Sequence, residues 1–246
     1  MYDMYISGLL IVGSYFWASI PSAYLVSKYI KGIDIRDYGS GNMGATNVMA
    51  HVGRFPGFFL GVFDCLGQGV LPVSIVSVMN QSDAVKVAVA LVSIVGHNWT
   101  PFLKFTGGRG VATAMGVIIG FQLWPECAVL VVVLGILGRI LIGETALCTL
   151  LSVLLLPALI FFFNELGLFD RSIEILFMSI GICVVVVLKR VTANWERLPE
   201  GYSRTNVIFN RIIWDRDLRN RVEWTSRSPE SHDSESSNVN GENVGS

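Results

Sequence analysis

Residues 145–163, TALCTLLSVLLLPALIFFF, form a run of nineteen uncharged, mostly apolar side chains. As a helix rising 1.5 Å per residue they extend about 28 Å, close to the thickness of a bilayer's hydrocarbon core. This reading sets the fold class, and the rest of the chain repeats it. Apolar segments recur at about 4–27, 55–79, 84–103, 111–125, 126–142 and 173–189. The boundary between the fourth and fifth falls near Trp124-Pro125-Glu126. The composition agrees: of 246 residues, 52% are hydrophobic and only 15% charged, with a mean hydropathy of +0.56. A soluble domain of this length would carry more charge. The expectation is an all-α polytopic membrane protein of about seven transmembrane helices.

Basic residues orient it. Lys28, Lys31, Arg36, Arg54, Lys104, Arg109, Arg139, Lys189, Arg190 and the seven later arginines share one face, 16 of the 18 Lys and Arg. Only Lys86 and Arg171 remain near the other. The positive-inside rule makes the first face cytoplasmic. An odd number of spans then puts the N-terminus outside and the C-terminus in the cytoplasm. Residues 1–205 are expected to form the membrane domain and 206–246 a cytoplasmic tail. From about 222 the tail is Ser-, Asn- and Glu-rich, and disorder is expected. No cleavable signal is expected. The four cysteines lie in apolar runs and read as buried hydrophobes. No His, Cys and carboxylate group has ligand spacing, so neither a metal nor a cofactor is expected. The net charge of −1 gives no reason to expect a nucleic-acid partner.

Two polar stretches interrupt the apolar pattern. The first is Gly39-Ser40-Gly41-Asn42-Met43-Gly44-Ala45-Thr46-Asn47. Its glycines permit tight turns, while Ser40, Asn42, Thr46 and Asn47 offer side-chain hydrogen bonds. The second, residues 96–113, is GHNWTPFLKFTGGRGVAT. Gly107-Gly108-Arg109-Gly110 leads directly into an apolar helix, so free amides and the positive end of a helix dipole face one point. Arg109 adds a cation with a fork suited to phosphate. It is not a Walker loop, because the spacing differs and the Lys-Ser/Thr pair is missing.

Each feature taken alone also has an ordinary explanation. The first stretch reads equally as a polar turn, and Lys104 and Arg109 as topology anchors. His97, beside Asn98 and Trp99, reads as a hydrogen-bonded interface residue. Asp64 and Gln68, four apart on one face of the second segment, read as a structural network inside the bundle. Lys189 to Gly201 emerges from the last span. If that helix continues, Arg190, Asn194 and Arg197 share a face, as a juxtamembrane anchor would.

Taken in order, these stretches resemble the bacterial acyl-phosphate:glycerol-3-phosphate acyltransferases. Ser19 to Leu25 followed by GIDIRDYGSGNMGATNV (32–48) looks like that family's first motif, and 96–113 like its second. Asn194-Trp195-Glu196-Arg197-Leu198 and Gly201 look like part of the third. The resemblance spans about residues 10–201. It implies a seven-span enzyme of the bacterial inner membrane, its site facing the cytoplasm. Such an enzyme moves a fatty acyl group from acyl phosphate to the 1-hydroxyl of glycerol 3-phosphate, giving lysophosphatidate and phosphate for phospholipid synthesis.

The resemblance implies catalytic roles for Ser40 and Asn194, with His97 a weaker candidate base. It implies substrate contacts from Gly41, Asn42, Gly44, Thr46, Asn47, Arg54, Lys104, Gly107, Gly108, Arg109, Gly110, Thr113 and Arg190. The 107–110 loop would hold a phosphate, and the acyl tail would lie between helices against membrane lipid. The chain departs from the family pattern at Ala50 and Val191, where Arg and His are usual. Ser203 stands in place of Glu, Arg109 in place of Lys, and Gly67-Gln68-Gly69 in place of Lys-Gly. Those departures keep open an alternative, a catalytically impaired homologue that binds phosphate or lipid and regulates a partner. An anion transporter is disfavoured, because Asp64 and Gln68 are nearly alone at midplane depth. Oligomeric state is open, and a monomer is compatible with the sequence.

Overall fold

The structure, a computed structural model, describes residues 2–141, 143–193, 203–217, 220 and 222. Among them all regular structure is helical. α1 (Tyr2–Ala18) and α2 (Ser22–Lys31) are followed by a short α3 (Ala45–His51). A long helix, Arg54–Val78, comprises α4 (Arg54–Val62), a π-helical segment (Phe63–Val70) and α5 (Leu71–Val78). Next come α6 (Asp83–Asn98), α7 (Val111–Gly120) and α8 (Trp124–Val129), which runs through a second π-helical segment (Leu130–Leu137) into α9 (Gly138–Leu141). α10 (Thr145–Glu165), α11 (Ile173–Thr192) and α12 (Arg204–Trp214) complete the chain.

Among the described residues, four helical stretches are long and apolar enough to cross a membrane: Asp3–Lys31, Arg54–Val78, Thr145–Glu165 and Ile173–Thr192. Their surfaces carry exposed Leu9, Val12, Phe58, Phe59, Phe161, Phe162, Phe177 and Val184. In water such a surface would be one large apolar patch, whereas in a bilayer it is the natural outer face. Inside, Val73, Ile94, Val117, Leu156, Ile160 and Ile182 join α5, α6, α7, α10 and α11 in one core. α7 lies against the first π-helical segment without side chains between them. A Cβ on Gly116 would strike the Cys65 carbonyl, and one on Gly69 the backbone of Thr113 and Gly116. A second, smaller core of Ala23, Ile35, Met43, Val48 and Leu60 supports the first polar stretch.

Several expectations are corrected. The first segment is not one uninterrupted span of 4–27. It breaks at Ser19–Pro21 and continues to Lys31, because Pro21 has no N–H and its ring excludes the preceding helical turn. The third segment ends at Asn98 rather than 103. Its last residues fold into a 3₁₀ turn, Pro101–Leu103, opened by Thr100, whose side chain accepts from the Phe102 amide. The break between the fourth and fifth lies at 121–123, three residues before Trp124-Pro125. α11 stops at Thr192 because Ala193 turns left-handed, φ 38°. Asn194 and Arg197, expected to share a face with Arg190, lie outside the described residues. The expected boundary at 205/206 falls within α12. That helix buries Val207 and packs on α10 and α11. Tail residues from 223 onward lie outside the described residues.

At the end away from the polar stretches, Glu126 is fully buried and receives the Arg171 guanidinium on both carboxylate oxygens, at 3.3 and 3.4 Å. Asn164 clasps the backbone of Arg171 through two further bonds. Replacing Glu126 by Ala strands the guanidinium against apolar walls. The expected cost is about 3 kcal/mol, measured as a lowered unfolding midpoint in detergent. The pair replacement Glu126→Leu with Arg171→Met is expected to recover most of that loss.

Candidate active site

The site begins at the Pro21 break. A helix that stops there leaves carbonyls outside its own ladder; the Ile20 carbonyl accepts from the Ser22 amide at 2.8 Å, and side chains supply further donors. Ser19 O accepts from Thr100 Oγ1 at 2.6 Å and Ile20 O from Gln68 Nε2 at 3.0 Å. Ser22 Oγ donates to the buried Asp64 carboxylate at 3.0 Å. Gln68 Oε1 lies 2.7 Å from His97 Nδ1. The break, the first π-helical segment and the end of α6 are thus tied by side-chain bonds.

The second polar stretch folds back on the end of α6. Thr100 pairs with Thr106, the Phe105 amide donates to Thr100 O at 2.8 Å, and the Gly108 amide to His97 O at 3.0 Å. Gly107 sits on the carbonyls of His97 and Asn98, and Gly108 on the His97 ring at Nε2. Neither position has room for a Cβ. Gly110, at φ 70°, turns the chain into α7, whose first amides have no intrahelical acceptor. Thr113 Oγ1 and both polar atoms of the Asn98 side chain are buried without a hydrogen-bond partner. Such groups are costly unless something completes them.

The first polar stretch is held by its own residues. Asn47 is buried and donates to the carbonyls of Ile35, Tyr38 and Asn42 at 3.0–3.2 Å. It therefore braces the loop. Ser40 Oγ accepts from the Asn42 amide at 3.4 Å, and Asn42 Oδ1 is a further buried atom without a partner. Gly41 adopts φ 66°, and Gly44 caps α3. The Arg36 guanidinium bonded to Asp34 holds that carboxyl below the usual carboxylate range. It also reaches Thr106 at 3.4 Å, joining the two stretches. Met43, Gly108, His97, Thr100 and the Ser19–Ala23 turn line one small cavity.

Three cations crowd this end of the bundle. Arg109 pairs with Asp215, just past α12. Arg190 is nearly buried and donates to the carbonyls of Ile212 and Ala146, both at 2.7 Å. Its position in the last turn of α11 gives it an anchoring duty toward α10 and α12, with Asp215 3.9 Å away. Lys189, 1% exposed, donates to Asn98 O and lies 5.3 Å over the Trp99 ring.

Other expected contacts are not brought together. Arg54 opens α4 as an exposed residue, and Lys104 is exposed in a left-handed turn, φ 55°. Among the described residues neither has a hydrogen bond or ion pair to the 107–110 loop. Thr46 is exposed on α3. Asn194 lies outside the described residues. Sequence reasoning missed Lys189, read as an anchor, and Asp215. It noted Gln68 but not its bond to His97. A lysine directly after an apolar run looks interfacial. Only the packing of α11 on α6 makes it interior.

The comparisons with known proteins agree with this geometry. The family model for glycerol-3-phosphate acyltransferase matches residues 8–201. Glycerol-3-phosphate acyltransferase 5 of Dehalococcoides mccartyi is 32% identical over 222 residues, covering 89% of this chain and 93% of its own. The Endomicrobium trichonymphae glycerol-3-phosphate acyltransferase is 36% identical, covering 85% of this chain and all of its own length. Among solved structures, PlsY (YgiH) is an integral membrane glycerol 3-phosphate acyltransferase. In its glycerol 3-phosphate form it aligns with a TM-score of 0.65 at 28% identity, over 75% of this chain and 88% of that one. Its lysophosphatidic acid form aligns at 0.62. With motif order, loop geometry and relatives in agreement, this chain is a membrane protein of the glycerol-3-phosphate acyltransferase family.

Proposed function

We propose that this acyltransferase takes its acyl group from acyl phosphate and delivers it to the 1-hydroxyl of glycerol 3-phosphate, releasing lysophosphatidate and inorganic phosphate. One observation carries the reading. The anion-type loop runs directly into an apolar slot. Val111, next after Gly110, and Ala114 line a cavity of about 240 Å³ together with Ile118, Leu130, Cys148 and Leu156. Glycerol 3-phosphate held by its phosphate at 107–110 and a fatty chain in that slot would meet at the start of α7, the arrangement that acyl transfer between them requires. PlsY with glycerol 3-phosphate and with lysophosphatidic acid supports the choice of acceptor and product.

The α7 amides, Arg109, Thr113 and Asn98 bind the glycerol 3-phosphate phosphate, and the buried Lys189 adds positive potential behind them. Ser40, Asn42 and the glycines at 41 and 44 close the site from the other side. The family resemblance gives Asn194 a catalytic role beside them. The departing phosphate can itself take the hydroxyl proton, with His97 the weaker candidate base. An acyl phosphate is already activated, so aligning two anions and offsetting their repulsion supplies most of the catalysis.

We place seven spans in the bacterial cytoplasmic membrane, with α6, α7 and the α8–α9 stretch completing the four longer helices. The N-terminus lies outside and the site faces the cytoplasm. Pairing of Lys86 with Asp83 and of Arg171 with Glu126 supports this, since the two basic residues on the outer side are both neutralised. We extend the membrane domain through Asp217, because Arg211 on Val191 O and Arg216 on Glu144 dock the α12 segment on the membrane helices. Every group invoked comes from one chain, so a monomer suffices.

The test supplies membranes containing the protein with acyl phosphate and labelled glycerol 3-phosphate, beside parallel assays with acyl thioesters. Lysophosphatidate from acyl phosphate alone is expected. Its absence with folded protein and an active control would overturn the donor assignment. Arg109→Ala is expected to raise KM for glycerol 3-phosphate by about 10- to 100-fold, the value of a charge-assisted contact. Arg109→Lys should fall in between, because it keeps charge and loses the fork. Ala114→Phe fills the slot and is expected to shift preference to shorter acyl chains, measured as kcat/KM across a donor series.

A further inference from the structure

We propose that Asp215 is a positioning residue: its carboxylate fixes the Arg109 guanidinium for the phosphate of glycerol 3-phosphate. The site then extends beyond the part of the chain that the family model matches, which ends at residue 201, whereas α12 begins at Arg204. The proposal rests on the phosphate role given to Arg109 above and adds the group that aims it.

Arg109 needs such a group. Its backbone is set by its neighbours, since the Gly108 amide donates to His97 O and Gly110 makes the left-handed turn into α7. Its side chain is long, and each torsion has several staggered wells. Arg190 presents a like charge close by. One oxygen meets both: Asp215 Oδ1 accepts from Arg109 Nη1 and lies 3.9 Å from Arg190 Nε. Lys189 is a third cation facing the same carboxylate. Like charges this close repel, and a carboxylate between them offsets the repulsion. Without it the guanidinium that moves is Arg109, whose side chain is 13% exposed against 3% for Arg190. Arg190 is also tied to the carbonyls of Ile212 and Ala146. A guanidinium has five N–H donors. One of Arg109's goes to Asp215, and among the described residues no other bond engages the rest, which leaves them for a phosphate.

Asp215 is built in, not poised to leave. Its amide donates to Arg211 O at 3.1 Å where α12 ends, in a left-handed turn at φ 58°. Asp and Asn enter that region more readily than other side chains with a Cβ. Before the turn, Ile212 O receives Arg190. After it, Arg216 bonds both oxygens of Glu144 at 3.1 and 3.3 Å, and Asp217 holds Arg211 by its carboxylate and Asn210 by its carbonyl. Withdrawing the segment from Arg109 would break all of these contacts. A carboxylate that competes with phosphate and yields to it would sit on a segment with fewer ties. The same contacts, with buried Val207, dock α12 without help from Asp215. Its charge therefore acts on Arg109 and not on the docking.

The test is lysophosphatidate formation by full-length protein in membranes, with acyl phosphate at saturation and glycerol 3-phosphate varied. Asp215→Asn keeps the size and the turn and removes the charge. It is expected to raise KM for glycerol 3-phosphate about tenfold, the coupling of neighbours in one network, with kcat within about threefold and an unfolding midpoint near wild type. In an Arg109→Ala background the same substitution is expected to change KM by less than about twofold, because its target is gone. Asp215→Glu keeps the charge on a longer arm and should raise KM only about threefold. Should Asp215→Asn not fold, Asp215→Glu decides by the same measurement. An unchanged KM in the folded variant overturns the proposal and leaves the pair a staple for α12. A lowered KM overturns it too, as the mark of a competing carboxylate, and so does an equal rise with and without Arg109. Failure of the underlying reading shows separately and overturns both: no turnover of acyl phosphate by wild type, or a wild-type KM in Arg109→Ala.

Discussion

The structure turns on one constraint: a helix interrupted among packed helices takes carbonyls out of its own ladder, and other donors must meet them. Pro21 creates that interruption. The two carbonyls before it, Ser19 and Ile20, are bonded by Thr100 and Gln68. Those partners come from the polar stretch after α6 and from the middle of the long helix Arg54–Val78. Local chain chemistry is thereby converted into a three-way junction. The polar groups that would otherwise destabilise a membrane core become the frame on which the second loop rests.

That loop is built backbone on backbone. Gly107 and Gly108 lie on the carbonyls and ring at the end of α6, and Gly110 supplies the left-handed turn that aims α7. Gly116 and Gly69 let α7 approach the first π-helical segment as closely. Because α7 is pinned at both places, its free amides, Thr113 and the mouth of the apolar cavity keep one relation to each other. Preorganised donors of this kind cost no reorganisation when charge develops. The unpartnered polar atoms of Asn98 and Thr113 fit such a site, since a ligand would complete them.

The cations divide by the partners they hold. Arg190 and Arg211 donate to the carbonyls of Ile212, Ala146 and Val191, tying α12 to the membrane helices. Lys189 is buried behind the loop, and Arg109 stands within it, paired to Asp215. A basic run after a last span is commonly an interfacial anchor. Here the same run is divided by helical phase, because Lys189 and Arg190 fall in the final buried turn of α11.

Much of this was legible in the residues. Apolar runs of span length, the clustering of Lys and Arg, and the order of the glycine-rich stretches follow from composition and spacing, and they carried the helical class and the family. What spacing could not carry was partnership. Asp64 and Gln68 were recognisable as interior polar residues, but the partners of Gln68, the Ile20 carbonyl and the His97 ring, belong to other parts of the chain. Arg54 and Lys104 matched by charge and sit apart by geometry. Lys189 looked interfacial and is interior. The sequence by itself determined which segments leave water and which stay polar, since transfer free energy is a local property of side chains. Only the tertiary structure decided which polar groups meet, because hydrogen bonds join atoms that the chain holds 29, 48 and 81 residues apart.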